Sequence, residues 1–231
     1  MADFINRGFE PAWQMVRPVP LVSIDFGNGT VLTRTLHGNI ATYVCAADGQ
    51  VLDVLPGIYA PTIYINRLEQ LRLLAGYADL KGKQARQARL EQYHKVQAEA
   101  LGKNQPPAIL VQRSYLGKMV IEDPIKLVLR PGESGSHGVA RHTDDPQWKE
   151  DLRLDSAEDL ANWKALTADS KINETVSRLQ VHEMLAKAGV TQPKGLTKWL
   201  YREVLHADLD DPYLGLGGVL FANYPFKDKA H

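Results

Sequence analysis

The chain has 231 residues, 44% of them hydrophobic, which is enough for one large domain or two small ones with a sizeable core. Lysine plus arginine equals aspartate plus glutamate at 27 each, so no global charge draws the protein to nucleic acid or an anionic membrane. No apolar run is long enough to span a bilayer, and the opening residues Met1-Ala2-Asp3-Phe4 lack the basic start and apolar stretch of a signal peptide.

Residues 1–20 are punctuated by Pro11, Pro18 and Pro20 and read as an irregular lead-in. Leu21–Phe26 and Val31–Leu36 flank Gly27-Asn28-Gly29, and an Asn-Gly pair tolerates the positive φ of a hairpin turn. A second hairpin is expected from Ala41–Cys45 and Gln50–Leu55 around Asp48-Gly49, closed by Pro56-Gly57. From Pro61 to Tyr77, Ile63, Ile65, Leu68, Leu71 and Leu74 recur at helical spacing, with Pro61 suited to the first turn and Gly76 to the end. Residues 81–101 form a polar, basic helix whose narrow stripe of Leu90, Tyr93 and Val96 places it on the surface.

After the break at Asn104–Pro107, strands are expected at 109–111, 118–121 and 125–129. Pro131–Gly138 opens a flexible loop. Ser156 and Asp159 form a capping pair for a helix near 157–167. Ile172, Val176, Leu179 and Leu185 carry a helix to Ala188, and Leu196, Leu200, Val204 and Leu205 a further one. Strands and helices do not alternate as a doubly wound sheet requires, so the fold class is α+β. The expected division is an α/β part over 1–130 and a loop with a helical C-terminal part over 131–231.

The segment Ile40-Ala41-Thr42 through Asp48-Gly49 to Gly57, followed by the 61–76 helix, resembles the C-terminal half of a thioredoxin-like fold. Ala41 replaces the family's cis-proline, and the Cys-x-x-Cys dithiol is absent. The resemblance therefore implies a thioredoxin-like scaffold without disulfide exchange, which needs an activated thiolate and a resolving partner. It also implies an extracytoplasmic protein, periplasmic or secreted, of bacterial type. The expected role is binding of a protein partner, a second copy or a metal ion.

The candidate chemistry is scattered. Cys45, the single cysteine, is either a small hydrophobe packed at a strand end or a redox-active thiol. The loop from Ser134 to Asp145 gathers His137, His142 and Asp144, whose imidazole and carboxylate donors suit zinc, copper or iron. A metal-dependent enzyme built on that loop is the rival reading, with His182 or His206 supplied by the helical half. His182-Glu183 is not a zinc-protease helix, because Ala186 stands where the second histidine belongs. His206 precedes Asp208, Asp210 and Asp211, which lack the spacing of a calcium loop; a histidine at a helix C-terminus is the plainer reading. The basic stretch Lys81–Arg89 lacks an aromatic platform and reads as a solvated face. Trp13, Trp148, Trp163 and Trp199 read as core or interface anchors.

Overall fold

The structure, a computed structural model, describes residues 1–18, 21–35, 40–79, 83–104, 112–115, 118–121, 156–189 and 191–220. A short helix α1 (Ala2–Gly8) precedes a hairpin of β1 (Leu21–Asp25) and β2 (Val31–Thr35). A second hairpin, β3 (Ala41–Cys45) and β4 (Val51–Pro56), leads into α2 (Pro61–Asp79) and α3 (Lys83–Gly102). A third pairs β5 (Gln112–Tyr115) with β6 (Lys118–Ile121). The helical part then runs through α4 (Ala157–Ile172), a π turn (Asn173–Ser177) and α5 (Arg178–Ala188). It ends with α6 (Pro193–Trp199), a second π turn (Leu200–Val204) and the short α7 (Gly217–Leu220). Among the described residues the three sheets are each two-stranded and antiparallel, so the α+β class stands.

Both N-terminal hairpins form where the turn residues require them. Gly27 and Gly29 take positive φ around Asn28, whose side chain accepts from the Thr30 N–H. In the second turn Gly49 is left-handed, and Ala46 N–H donates to Gln50 O. The register then slips. Val44 opposes Asp53 and Cys45 opposes Val51, which leaves Leu52 as a bulge with no partner across the ladder.

Strand β4 is the centre of the molecule, with every residue buried. Leu52 and Leu55 enter one apolar cluster with Leu71 and Leu74 of α2, Leu90 and Tyr93 of α3, and Trp163 of α4. Val51 and Val54 enter a second cluster with Val181 and Leu185 of α5 and Leu196, Leu200 and Val204 beyond it. Each cluster thus draws residues from both sides of the 131–147 stretch.

Helix starts follow the sequence, but α2 runs through Gly76, its expected end, to Asp79. Pro61 begins α2. Ser156 caps α4, its hydroxyl accepting from Asp159 N–H at 3.0 Å. This helix runs past the expected end at 167 because Trp163, Thr167 and Ser170 continue its buried face. The surface placement of α3 is corrected. Its face of Arg86, Leu90, Tyr93, His94, Gln97 and Leu101 is buried, since α5 packs along it. The stripe was wider than its apolar members alone indicated.

The basic stretch is corrected likewise. Arg86 is buried and pairs with Asp48 at 2.7 Å and Asp79 at 2.6 Å, while Arg89 lies 5.0 Å over the Tyr77 ring. Of the tryptophans, Trp163 is buried and Trp199 packs against the second cluster. Trp13 is 87% exposed and anchors no core. Trp148 and the strand expected at 125–129 lie outside the described residues.

Candidate metal centre

Three elements deliver the site. Asp53 sits mid-strand in β4, in a run where burial on both faces normally demands apolar residues. His94 projects from α3, one residue after Tyr93. His182 and Arg178 project from α5, four residues apart and so on one helical face. The π turn immediately before Arg178 is a feature that recurs at functional sites. Asp53, His94, Arg178 and His182 are all buried.

The hydrogen bonds fix the protons. His94 Nε2 lies 3.0 Å from Leu52 O, the carbonyl of the bulged residue. A carbonyl only accepts, so Nε2 carries the hydrogen and His94 Nδ1 is bare. His94 Nδ1 lies 2.8 Å from His182 Nδ1, which must therefore be the donor. His182 Nε2 is then bare, and Arg178 Nη2 donates to it at 3.0 Å. The same Nη2 donates to Asp53 Oδ2 at 2.9 Å, and Tyr93 OH donates to that oxygen at 3.3 Å. Asp53 Oδ1 accepts from Val54 N–H at 2.7 Å.

Charge follows from burial. Removal from water pushes His94 down to about 4 and His182 well below the ordinary histidine range, so both rings are neutral near pH 7. Burial alone would raise Asp53. The Arg178 guanidinium, helped by the Val54 N–H, outweighs it and holds the carboxyl well below the usual range. Burial would likewise lower Arg178, but Asp53 and Glu174 hold it charged. The centre is thus one ion pair and two neutral imidazoles.

Asp53, His94 and His182 can each offer one ligand atom, all within 4.8 Å of one another, and this is the group of metal-ligand type found among the described residues. Such a set could hold a metal ion. A hollow of about 10 Å³ reaches His94 between Gln50, Gln87, Glu91 and Leu185, which is room for about one water.

Of the residues singled out from the sequence, His182 lies in this centre. His137, His142 and Asp144 lie outside the described residues. His206 is exposed, just past the second π turn with φ 51, and is not part of the buried cluster. The acids after it cap turns: Asp208 accepts from Asp210 N–H and Asp211 from Tyr213 N–H. Carbonyls of Leu209, Asp211 and Pro212 accept from Arg17. Cys45 is exposed rather than packed away, and partial burial pushes its thiol up, the opposite of activation.

Asp53, His94 and Arg178 of this centre all escaped sequence reasoning. Asp53 had a signal, an acid inside the apolar run Val51-Leu52-Asp53-Val54-Leu55. The signal of His94 was fainter: it falls on the stripe of Arg86, Leu90, Gln97 and Leu101, polar and apolar mixed. In comparisons with known proteins, the chain matches no family model, no curated protein and no solved structure.

Proposed function

We propose that this chain is a metal-binding protein that holds a divalent transition metal at Asp53, His94 and His182. The observation that carries the reading is the convergence of these three side chains from β4, α3 and α5 at one buried point. Neutral imidazoles and an ionised carboxylate are the forms that ligate, and none has to shed a proton to solvent near pH 7. His94 also has the support expected of a ligand, its far ring nitrogen donating to a backbone carbonyl that orients the ring. Two imidazoles and a carboxylate suit zinc, iron or copper better than calcium or magnesium.

The role proposed is metal binding, and a hollow with room for about one water reaches His94 beside the site. Thioredoxin-like kinship belongs to the same proposal: β3, β4 and α2 follow in the order of that family's C-terminal half. Elemental analysis and zinc calorimetry test the function. One zinc per chain, lost in His94→Gln and His182→Gln, is expected. Metal-free protein that takes up no zinc, copper or iron would remove the reading.

A second reading concerns partners. Leu21, Ile24, Phe26 and Val31 on and around the first hairpin are exposed. Among the described residues β1 and β2 pair only with each other. A two-stranded hairpin is marginal in water, and strand edges that are unpaired among the described residues are templates for strand pairing. The occupant proposed is a second copy, edge to edge, which would make a four-stranded sheet. Sedimentation should show a dimer that Ile24→Lys dissociates; a monomer at every concentration refutes it.

A further inference from the structure

Arg178 stands where a bound cation would be most attracted, and its guanidinium cannot lose its proton to make way. The proton order decides what must happen on metal entry. If His182 offers Nδ1, its hydrogen moves to Nε2, which then faces the Arg178 N–H at 3.0 Å as donor against donor. If His182 offers Nε2 instead, the lone pair used is the one Arg178 now occupies. Asp53 Oδ2 is likewise taken by the guanidinium. By either ring nitrogen of His182, Arg178 must give up its bond to that ring, and it must leave Asp53 as well where the metal takes Oδ2.

One destination is close along the chain. Glu174 lies four residues earlier, in the π turn. Its Oε2 is held by Arg67, while its Oε1 is buried with no hydrogen-bond partner among the described residues. A buried carboxylate oxygen left unsatisfied is costly, and a guanidinium N–H is a strong donor to it. Glu174 already attracts Arg178 across the intervening space. The π turn, a locally underwound stretch of the helix, carries Glu174 and immediately precedes Arg178.

We propose that Arg178 is a displaceable counter-ion, which holds Asp53 and His182 in the metal-free protein and transfers to Oε1 of Glu174 when a divalent cation enters. The protein thereby keeps its buried carboxylate paired in both states. Apart from the shift of the His182 hydrogen between its ring nitrogens when Nδ1 is the ligand, no covalent bond changes; one cation replaces another on Asp53. The inference rests on the metal-binding reading above.

Zinc calorimetry on the full chain tests it, comparing wild type with Arg178→Met, Glu174→Gln and both together. Arg178→Met is expected to bind zinc about tenfold or more tightly, the size of an ordinary coupling between sites. Glu174→Gln is expected to weaken binding by a similar factor in the wild-type background and to do nothing in the Arg178→Met background. Arg67→Gln, which releases the other oxygen of Glu174, should not weaken binding. Wild-type zinc binding that Arg178→Met leaves unchanged or weakens overturns the counter-ion role alone. Absence of zinc binding in both wild type and Arg178→Met overturns the metal reading with it. Arg178→Met leaves Asp53 unpaired; if that variant folds only with zinc, the proposal is supported. If it does not fold even with zinc, Glu174→Gln decides: unchanged affinity in that variant overturns the transfer.

Discussion

Burial holds His94 and His182 neutral, and this sets the sign of the protein's pH response. In the unfolded chain a histidine titrates near 6.5, whereas native His94 titrates at about 4. Between these values the unfolded state binds the extra proton, so stability falls as pH drops through the window. The cost for His94 is ~2 kcal/mol between pH 7 and pH 5. His182 shifts in the same direction. Asp53 adds a further loss only below its ordinary range, since its native carboxyl is depressed. Urea unfolding of the metal-free protein at both pH values should show this drop, and His94→Gln should flatten it; equal midpoints in wild type would contradict burial of the rings. At the same scale, exposed Cys45 should react completely with a maleimide without denaturant. Because its thiol is pushed up, the reaction should be slower than for a free thiol at neutral pH.

Among the elements, the join between the second hairpin and the helical half carries the sharpest steric requirement. Gly57 closes β4 with φ 78, and a Cβ added there would run into the Asn173 amide. That amide donates to Ile58 O at 2.9 Å, and Ala60 N–H donates to Ser170 Oγ at 2.7 Å, so the loop after β4 is fastened to the end of α4. Gly57→Ala is expected to cost ~2 kcal/mol or more, from left-handed strain plus the collision. Adding Asn173→Ala should recover the collision but not the strain. A Gly57→Ala protein with an unchanged melting temperature would show that this join is not tight. The π turn also belongs to this join, with Glu174 reaching Arg67 of α2.

For the whole molecule, β4 between two apolar clusters makes the halves interdependent. Leu74 lies fully buried in the first cluster and Leu200 in the second. Truncating either to alanine should cost ~2–5 kcal/mol. Trp163 reports on the first cluster and Trp199 on the second. Their unfolding transitions, read in single-tryptophan variants, should coincide; separated midpoints would mean that the clusters melt as independent units.

What the sequence alone determined was local: the glycines of both hairpin turns, Pro61 at a helix start, Ser156 with Asp159 at another. Each depends on a few neighbouring residues and on backbone sterics that hold in any context. The candidate site was legible only in part, as His182, because a histidine on a helix carries no sign of what lies across from it. Leu52 left the ladder through a register slip and its carbonyl went to His94, and α3 became an interior helix through its contact with α5. Only the tertiary structure could place Asp53, His94 and His182 together, since they are brought from separate elements by packing whose energy comes from the apolar residues around them rather than from their own chemistry.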